Sequence, residues 1–215
     1  MLSKAKTLWA LEQMKLEFPN AQGALNWDTP FHLLMAVILS AQATDISVNK
    51  VAPALFDRFP DPASLASADL QEIESYIHSI GLYHNKAKHL KACAQQIIAR
   101  FDGQVPQSHT DLESLPGVGR KTANVVLGDA FRIPGFAVDT HVARVSKRLQ
   151  IVKKSASVQE VEQALTAKLP KGEWVIDHHT MILFGRYRCT ARNPKCETCP
   201  LLSICAEGQR RVNTK

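Results

Sequence analysis

Four cysteines near the C-terminus have the spacing with the clearest chemical meaning in this chain. Cys189, Cys196, Cys199 and Cys205 follow the pattern C-x6-C-x2-C-x5-C. Clustered thiols either form disulfides or hold a metal, and in a metal site each is present as a thiolate. A zinc ribbon usually has two C-x2-C knuckles and this segment has one, so the spacing alone leaves the metal open.

A short glycine-containing turn, Pro116-Gly117-Val118-Gly119, lies between two helical patterns and is followed by Arg120 and Lys121. Its glycines permit positive φ and a close approach of the backbone to a ligand. The start of the next helix offers N–H groups and the positive end of a dipole, which suit a phosphate. A plain αα-hairpin with glycines for packing is the alternative. The adjacent cations and the basic chain favour the phosphate cradle.

Lys121 falls in the first turn of that second helix, where the helix dipole disfavours a cation. A neutral lysine amine is a nucleophile that forms Schiff bases with carbonyl carbons. A simple contact with phosphate explains the same residue equally well, so both interpretations remain open at this point.

Asp139 precedes a helical stripe made by Val142, Val145 and Leu149, so the sequence predicts an N-cap. A catalytic role would require Asp139 to face Lys121. Its charge would then stabilise a cation developing on a sugar and assist proton transfer. The two roles are compatible, since a capping carboxylate is kept ionised by the helix end.

Composition sets broad limits on the function. Hydrophobic residues make up 45% and charged residues 21%, which is ordinary for a soluble globular protein. The formal charge of +6 and the pI of about 9.1 mildly favour a polyanionic partner. The N-terminus has no signal-type apolar core, so we expect a reducing compartment in which thiols bind metal rather than form disulfides.

Helical spacing of apolar residues dominates, and convincing alternating strands are absent, so we predict an all-α fold. The run Phe31 to Leu39 is too short to span a bilayer and predicts a buried helix that begins after Thr29-Pro30. Cys93 lies on an apolar helical stripe, which predicts a buried structural thiol. Ile133-Pro134-Gly135 is a candidate crossing between two helical lobes.

These elements together resemble the endonuclease III family of DNA repair glycosylases with AP-lyase activity. The resemblance covers nearly the whole chain. The motifs that carry it are Ile38-Leu39-Ser40-Ala41-Gln42-Ala43-Thr44-Asp45, Ile80-Gly81-Leu82-Tyr83, the hairpin, Val138-Asp139-Thr140-His141, Gly185-Arg186-Tyr187 and the cysteine loop.

The resemblance implies two all-α lobes. Residues 23–134 would form a helical barrel with a helix-hairpin-helix, and residues 1–22 and 135–215 would form a terminal lobe. A [4Fe-4S] cluster would be held in the loop 189–205 by the four cysteines.

The resemblance also implies roles for individual residues. Lys121 matches the Schiff-base lysine and Asp139 the family's aspartate. Gln42 matches the residue that fills the hole left by a flipped nucleotide, and Leu82 matches the wedge. The remaining expected DNA contacts are Gly117, Val118, Gly119, Arg120, Arg186, Arg192 and Lys195.

The implied function is a bifunctional glycosylase and AP lyase that removes oxidised pyrimidines from duplex DNA. It would cleave 3′ to the abasic site by β-elimination. We expect a cytoplasmic monomer of bacterial type that associates with the nucleoid through DNA and has no membrane partner.

Two other functional classes remain open from the residues themselves. A non-catalytic DNA-binding module would use the hairpin but has no need for Lys121 paired with Asp139. An iron–sulfur electron carrier would leave the hairpin unexplained. Adenine-mismatch glycosylases look similar around the cluster but lack this lysine and carry a further C-terminal domain, for which we expect no room after Cys205.

Overall fold

The computed structural model describes residues 1–213, and no β-strand occurs among them. The predicted all-α fold is confirmed. The helices are α1 Lys4–Glu17, α2 Pro30–Leu39, α3 Asp45–Arg58, α4 Pro62–Ser67, α5 Leu70–Ile77, α6 Tyr83–Phe101, α7 His109–Glu113, α8 Arg120–Phe131, α9 Thr140–Arg148, α10 Val158–Lys168, α11 Trp174–Leu183 and α12 Ala206–Asn213.

Side-chain caps explain where many of these helices begin. Thr29 Oγ1 accepts a hydrogen bond from His32 N at 3.1 Å, and Pro30 is the first residue of α2, as the sequence predicts. Ser157 and Glu160 form a reciprocal capping box at the start of α10. By fixing where a helix begins, such caps help to fix which of its side chains face the interior.

Residues 24–133 form one compact unit that contains α2 to α8. Helix α2 is its centre, because residues 31–39 are all buried and the helix packs against α3, α6 and α8. Cys93 on α6 is fully buried, as predicted, and burial raises the pKa of its thiol to about 12. This thiol is therefore an inert core residue.

Residues 1–23 and 134–215 form the second unit, so the division falls between Ile133 and Pro134. Helix α1 packs against α11 and α10, and α9 packs against α10, α11 and α12. The apolar core of this unit includes Met14, Phe136 and Phe184. A π-helical turn, Phe184–Arg188, leads from α11 into the cysteine loop. No helix within residues 1–213 is long and apolar enough to cross a membrane.

Candidate functional site

The predicted hairpin connects α7 to α8 and is held closed by its own backbone. Val118 N donates to the carbonyl of Leu115 at 3.1 Å, and the Val118 side chain is buried. Val118 therefore shapes the hairpin, and its expected contact with DNA stays a prediction. The glycines on either side are exposed.

The two hairpin glycines differ in what they do. Gly117 has φ of +80°, and a Cβ there would lie 3.1 Å from His89 Cβ, so the fold itself needs glycine at this position. Gly119 has φ of −105°, and a Cβ there would meet nothing within 4 Å. Packing therefore does not explain Gly119, whereas a ligand that approaches the backbone would.

Gly119 is the N-cap of α8 and supplies no side-chain oxygen to the amides of the first turn. Arg120 is the first residue of the helix, and its guanidinium lies 3.8 Å from Glu113 Oε1. Lys121 follows, and its side chain is exposed. The turn thus presents a helix start, two cations and a bare glycine, which is an arrangement that binds phosphate.

Gln42 and Leu82 share an unusual backbone conformation in the same unit. Their φ angles are 55° and 62°, in the left-handed region that residues other than glycine rarely adopt. Both side chains are exposed, and that of Leu82 is 58% exposed although it is a leucine. Asp102, Arg132 and Gln150 share this conformation, but they follow the C-terminal ends of helices, where it is common. Gln42 and Leu82 instead lie in turns before helices, and strained, exposed positions of that kind concentrate at functional sites.

Asp139 lies in the other unit and caps α9, as predicted. Its Oδ1 accepts hydrogen bonds from the backbone N–H groups of His141 and Val142, each at 2.8 Å. Its Oδ2 lies 2.8 Å from His141 Nδ1. Both oxygens are therefore oriented, and the side chain remains 18% exposed. A carboxylate fixed in this way is suited to electrostatic stabilisation of a nearby cation.

Two arginines of α9 bind the start of the cysteine loop. Arg144 donates to the carbonyls of Gly185, at 2.6 Å, and Cys189, at 3.1 Å. Arg148 Nη1 lies 3.3 Å from Cys189 Sγ and 2.7 Å from the carbonyl of Thr190. The helix that is capped by Asp139 is thereby tied to the first cysteine of the loop.

The four clustered cysteines line one cavity whose walls include Leu149, Phe184 and Leu201. Burial raises the pKa of the Cys199 thiol to about 11, and burial is also the main cause that raises the pKa values of Cys196 and Cys205. Gly208 N donates to Cys205 Sγ at 3.3 Å. Four half-buried thiols around one cavity fit a cluster in which each iron takes one thiolate.

Within residues 1–213, no three His, Cys, Asp or Glu side chains converge on the position of a single metal ion.

The cations of the loop and of the π-helical turn before it fall into two groups, those used within the protein and those that are exposed. Arg188 is used internally, since it donates to Glu17 Oε1 at 2.7 Å and Thr198 Oγ1 at 2.8 Å. Arg192 and Lys195 are exposed and line one surface cleft together with Arg210 and Arg211. Arg186, in the π-helical turn, is half-buried and has a partner within the protein.

Comparison with known proteins decides the family. Residues 35–171 match the model of the HhH-GPD superfamily of base excision DNA repair proteins, and residues 189–205 match the iron–sulfur binding domain of endonuclease III. The endonuclease III of Bacillus subtilis (strain 168) is 48% identical over 211 residues, which are 98% of this chain and 96% of the relative. The chain belongs to the endonuclease III family.

Other comparisons agree with this membership. The endonuclease III of Escherichia coli (strain K12) is 42% identical over 205 residues, covering 95% of this chain and 96% of that one. A solved structure described as a trapped endonuclease III–DNA covalent intermediate superposes with a TM-score of 0.96 at 48% identity. It covers 99% of this chain and 100% of its own.

As a member of this family, the chain is a DNA glycosylase with AP-lyase activity in base excision repair, and it binds DNA. Its cofactor is a [4Fe-4S] cluster. The cavity lined by four thiols is consistent with that group. These findings set aside the non-catalytic binding module and the electron carrier.

Some residues of the site cannot be found from local sequence patterns. Arg144 and Arg148 resemble solvated charges on an amphipathic helix, yet they bind loop carbonyls more than 40 positions away. His141 follows the recognised Asp139 but gives no signal of its own. The spacing of Arg144 and Arg148, four residues apart on one helix face, is the one available hint.

Proposed function

We propose that this enzyme excises oxidised pyrimidines from duplex DNA and then cleaves the strand through a Schiff base on Lys121. The observation that carries the proposal is the position of Lys121, which is exposed directly after the bare Gly119 at the start of α8. An exposed lysine beside a turn suited to phosphate is placed where its amine can act on the sugar of the bound strand as a nucleophile.

DNA is gripped and opened by the unit 24–133. The hairpin around Gly119 and Arg120 holds phosphate, Leu82 enters the base stack and Gln42 occupies the vacated space. Damage that weakens stacking lowers the cost of flipping, which gives part of the selectivity. An exposed leucine with φ of 62° suits this role, because a base step would bury its apolar surface.

The chemistry begins when the uncharged Lys121 amine attacks the sugar C1′. The glycosidic bond breaks and the base leaves with the bonding electrons, so that a C1′–N bond joins the sugar to the lysine. The C1′–O4′ bond then opens, O4′ takes a proton, and the nitrogen forms a C=N imine with C1′. Loss of a proton from C2′ then expels the 3′ phosphate by β-elimination, and water hydrolyses the imine to free the lysine. Asp139 stabilises the cationic sugar and assists proton removal from the lysine, because both of its oxygens are already oriented.

The cysteine loop serves binding. Cys189, Cys196, Cys199 and Cys205 hold the [4Fe-4S] cluster, which shapes the loop so that Arg192 and Lys195 reach phosphates. The exposed position of both cations supports this role. Gly117, Val118 and Arg186 complete the DNA surface, and we propose that the enzyme acts as a cytoplasmic, nucleoid-associated monomer.

Borohydride trapping on duplex DNA with an abasic site tests the proposal. Lys121→Gln should abolish the covalent complex while leaving binding to the abasic site within a few-fold of wild type. Lys50→Gln, which removes an exposed lysine of α3 in the same unit, is the matched control and should trap normally. Normal trapping by Lys121→Gln would remove Lys121 as the nucleophile.

A further inference from the structure

Lys86 is a buried lysine in the first turn of α6, and only 4% of its surface is exposed. Its Nζ donates a hydrogen bond of 2.9 Å to the carbonyl of Leu39. Its backbone N–H donates to the carbonyl of Leu82 at 3.1 Å. The second bond is the regular helical bond of α6, so the side-chain bond is the one that joins the start of α6, next to Leu82, to the end of α2.

The burial of this cation needs an explanation. Desolvation lowers the pKa of Lys86, and a cation near the start of α6 is opposed by that helix's dipole. The Leu39 carbonyl belongs to the last residue of α2, where the helix end is negative and carbonyls lack partners within the helix. The hydrogen bond offsets part of the free-energy cost of burying the ammonium group. A neutral core residue would not incur that cost.

Both segments lead directly to the residues that the proposed function places in DNA. Leu39 is followed by a tight turn, closed by Ala43 N donating to the Ser40 carbonyl at 3.1 Å, and Gln42 lies in that turn. Leu82 is the N-cap of α6. Gln42 and Leu82 therefore each lie within four residues of a group to which Lys86 is hydrogen-bonded.

We propose that Lys86 is a positioning residue that holds the turn carrying Gln42 at a fixed place relative to Leu82, so that both side chains enter the duplex together. The inference rests on the proposed roles of Gln42 and Leu82 in nucleotide flipping. Because Lys86 is buried, the proposal gives it no contact of its own with DNA.

The physical benefit is preorganisation. In the proposed flipping step, Leu82 and Gln42 must act on the same base pair at the same moment. Ordering a loose turn during that step would cost conformational free energy. A buried hydrogen bond that fixes the turn in the free enzyme removes this cost from the flipping step. A substrate that is already unpaired demands less of the wedge and filler, so it should depend less on Lys86.

Lys86→Met tests this, because methionine keeps much of the apolar stem and removes the donor and the charge. Lys91→Met is the matched control: Lys91 lies on the same helix and donates to the carbonyl of Ala68 at 2.7 Å, beyond the end of α4. Single-turnover excision is measured for one oxidised pyrimidine in a fully paired duplex and in an unpaired bubble, at a temperature where melting curves show every variant folded.

We expect Lys86→Met to lose about tenfold or more on the paired lesion and about twofold or less on the unpaired one, while Lys91→Met loses neither. In a Leu82→Ala background, Lys86→Met should add no more than about twofold, because both changes impair the same step. Equal losses on the two substrates, or losses that multiply fully with Leu82→Ala, would overturn the proposal.

If Lys86→Met does not fold, Lys86→Gln replaces it, since the shorter amide keeps a donor that does not reach as far. Lys86→Gln should likewise lose more single-turnover excision on the paired lesion than on the unpaired one. Equal losses on the two substrates would again overturn the proposal. Borohydride trapping on single-stranded abasic DNA distinguishes a failure of the Lys86 inference from a failure of the proposed Lys121 chemistry. Trapping at the wild-type rate by the Lys86 variant shows that the lysine chemistry is intact, so a failure of this inference leaves the proposed nucleophile untouched.

Discussion

The hairpin at residues 114–119 and the cysteine loop at residues 189–205 reach their shapes by different means. The hairpin is closed by its own backbone and by a glycine at φ of +80°, within a few residues of sequence. The cysteine loop is bound by Arg148 and Arg188, which reach it from α9 and from the π-helical turn. A local element is therefore preformed, whereas the loop is held by side chains from outside it.

The largest effect should come from Asp139→Asn. Removing the charge withdraws stabilisation from the developing cation, so base excision should fall by about a hundredfold or more. Asparagine is as good an N-cap as aspartate, so we expect the free energy of unfolding to change by under about 1 kcal/mol.

Asp61→Asn, at the N-cap of α4, is the control for the capping contribution and should leave excision unchanged. Excision rates and thermal melts of both variants check the prediction. If the melting temperature of Asp139→Asn collapses while the folded fraction excises normally, Asp139 is a structural cap.

The next effect concerns the cofactor and the loop. Cys199→Ser should lose the yellow-brown colour and the iron, and it should weaken DNA binding because the loop with Arg192 and Lys195 is no longer shaped. Hairpin contacts should persist, so some binding should remain.

Cys93→Ser, in the buried thiol of α6, is the matched cysteine change. It should keep the colour and lose stability, since it places a hydroxyl in an apolar core. Iron analysis, absorbance and DNA titration of the two variants distinguish a ligand from a core residue. Stoichiometric zinc in anaerobically prepared wild-type protein would contradict the cluster.

A smaller effect separates the hairpin glycines. Gly119→Ala should fold normally, because its Cβ meets nothing, and should bind DNA about tenfold more weakly if phosphate approaches the backbone there. Gly117→Ala should lose stability by about 1–2 kcal/mol, because alanine is strained at positive φ and would crowd His89. Normal DNA binding by Gly119→Ala would show that no ligand comes close at that position.

The smallest effects should belong to the exposed loop cations. Arg192→Ala and Lys195→Ala should each weaken binding a few-fold for every DNA sequence and reduce the salt dependence by about one unit of slope. Lys171→Ala, an exposed lysine in a 3₁₀ turn of the same unit, should change neither quantity. Unaltered slopes for Arg192→Ala and Lys195→Ala would place the loop away from the DNA backbone.

The comparison of hairpin and loop also explains what could be predicted from sequence. Thr29-Pro30, the buried run that follows it, and Asp139 as a cap are local signals, and the structure has them as predicted. The different duties of Gly117 and Gly119 were not visible, because one depends on His89 from another helix.

Long-range contacts account for the rest. Arg144, Arg148 and Lys86 act on carbonyls more than 40 residues away, so no periodicity reveals them. The left-handed backbones of Gln42 and Leu82 were equally hidden, since neither is glycine. Tertiary contacts, rather than local preference, impose these conformations.

Mapping the covalent bond tests the central claim most directly. The enzyme is trapped with borohydride on duplex DNA that contains one oxidised pyrimidine, the DNA is digested to a residual sugar, and the peptides are sequenced by mass spectrometry. We predict a single modified residue, Lys121. Modification of another lysine or of the N-terminal amine, with Lys121 unmodified, would contradict the account.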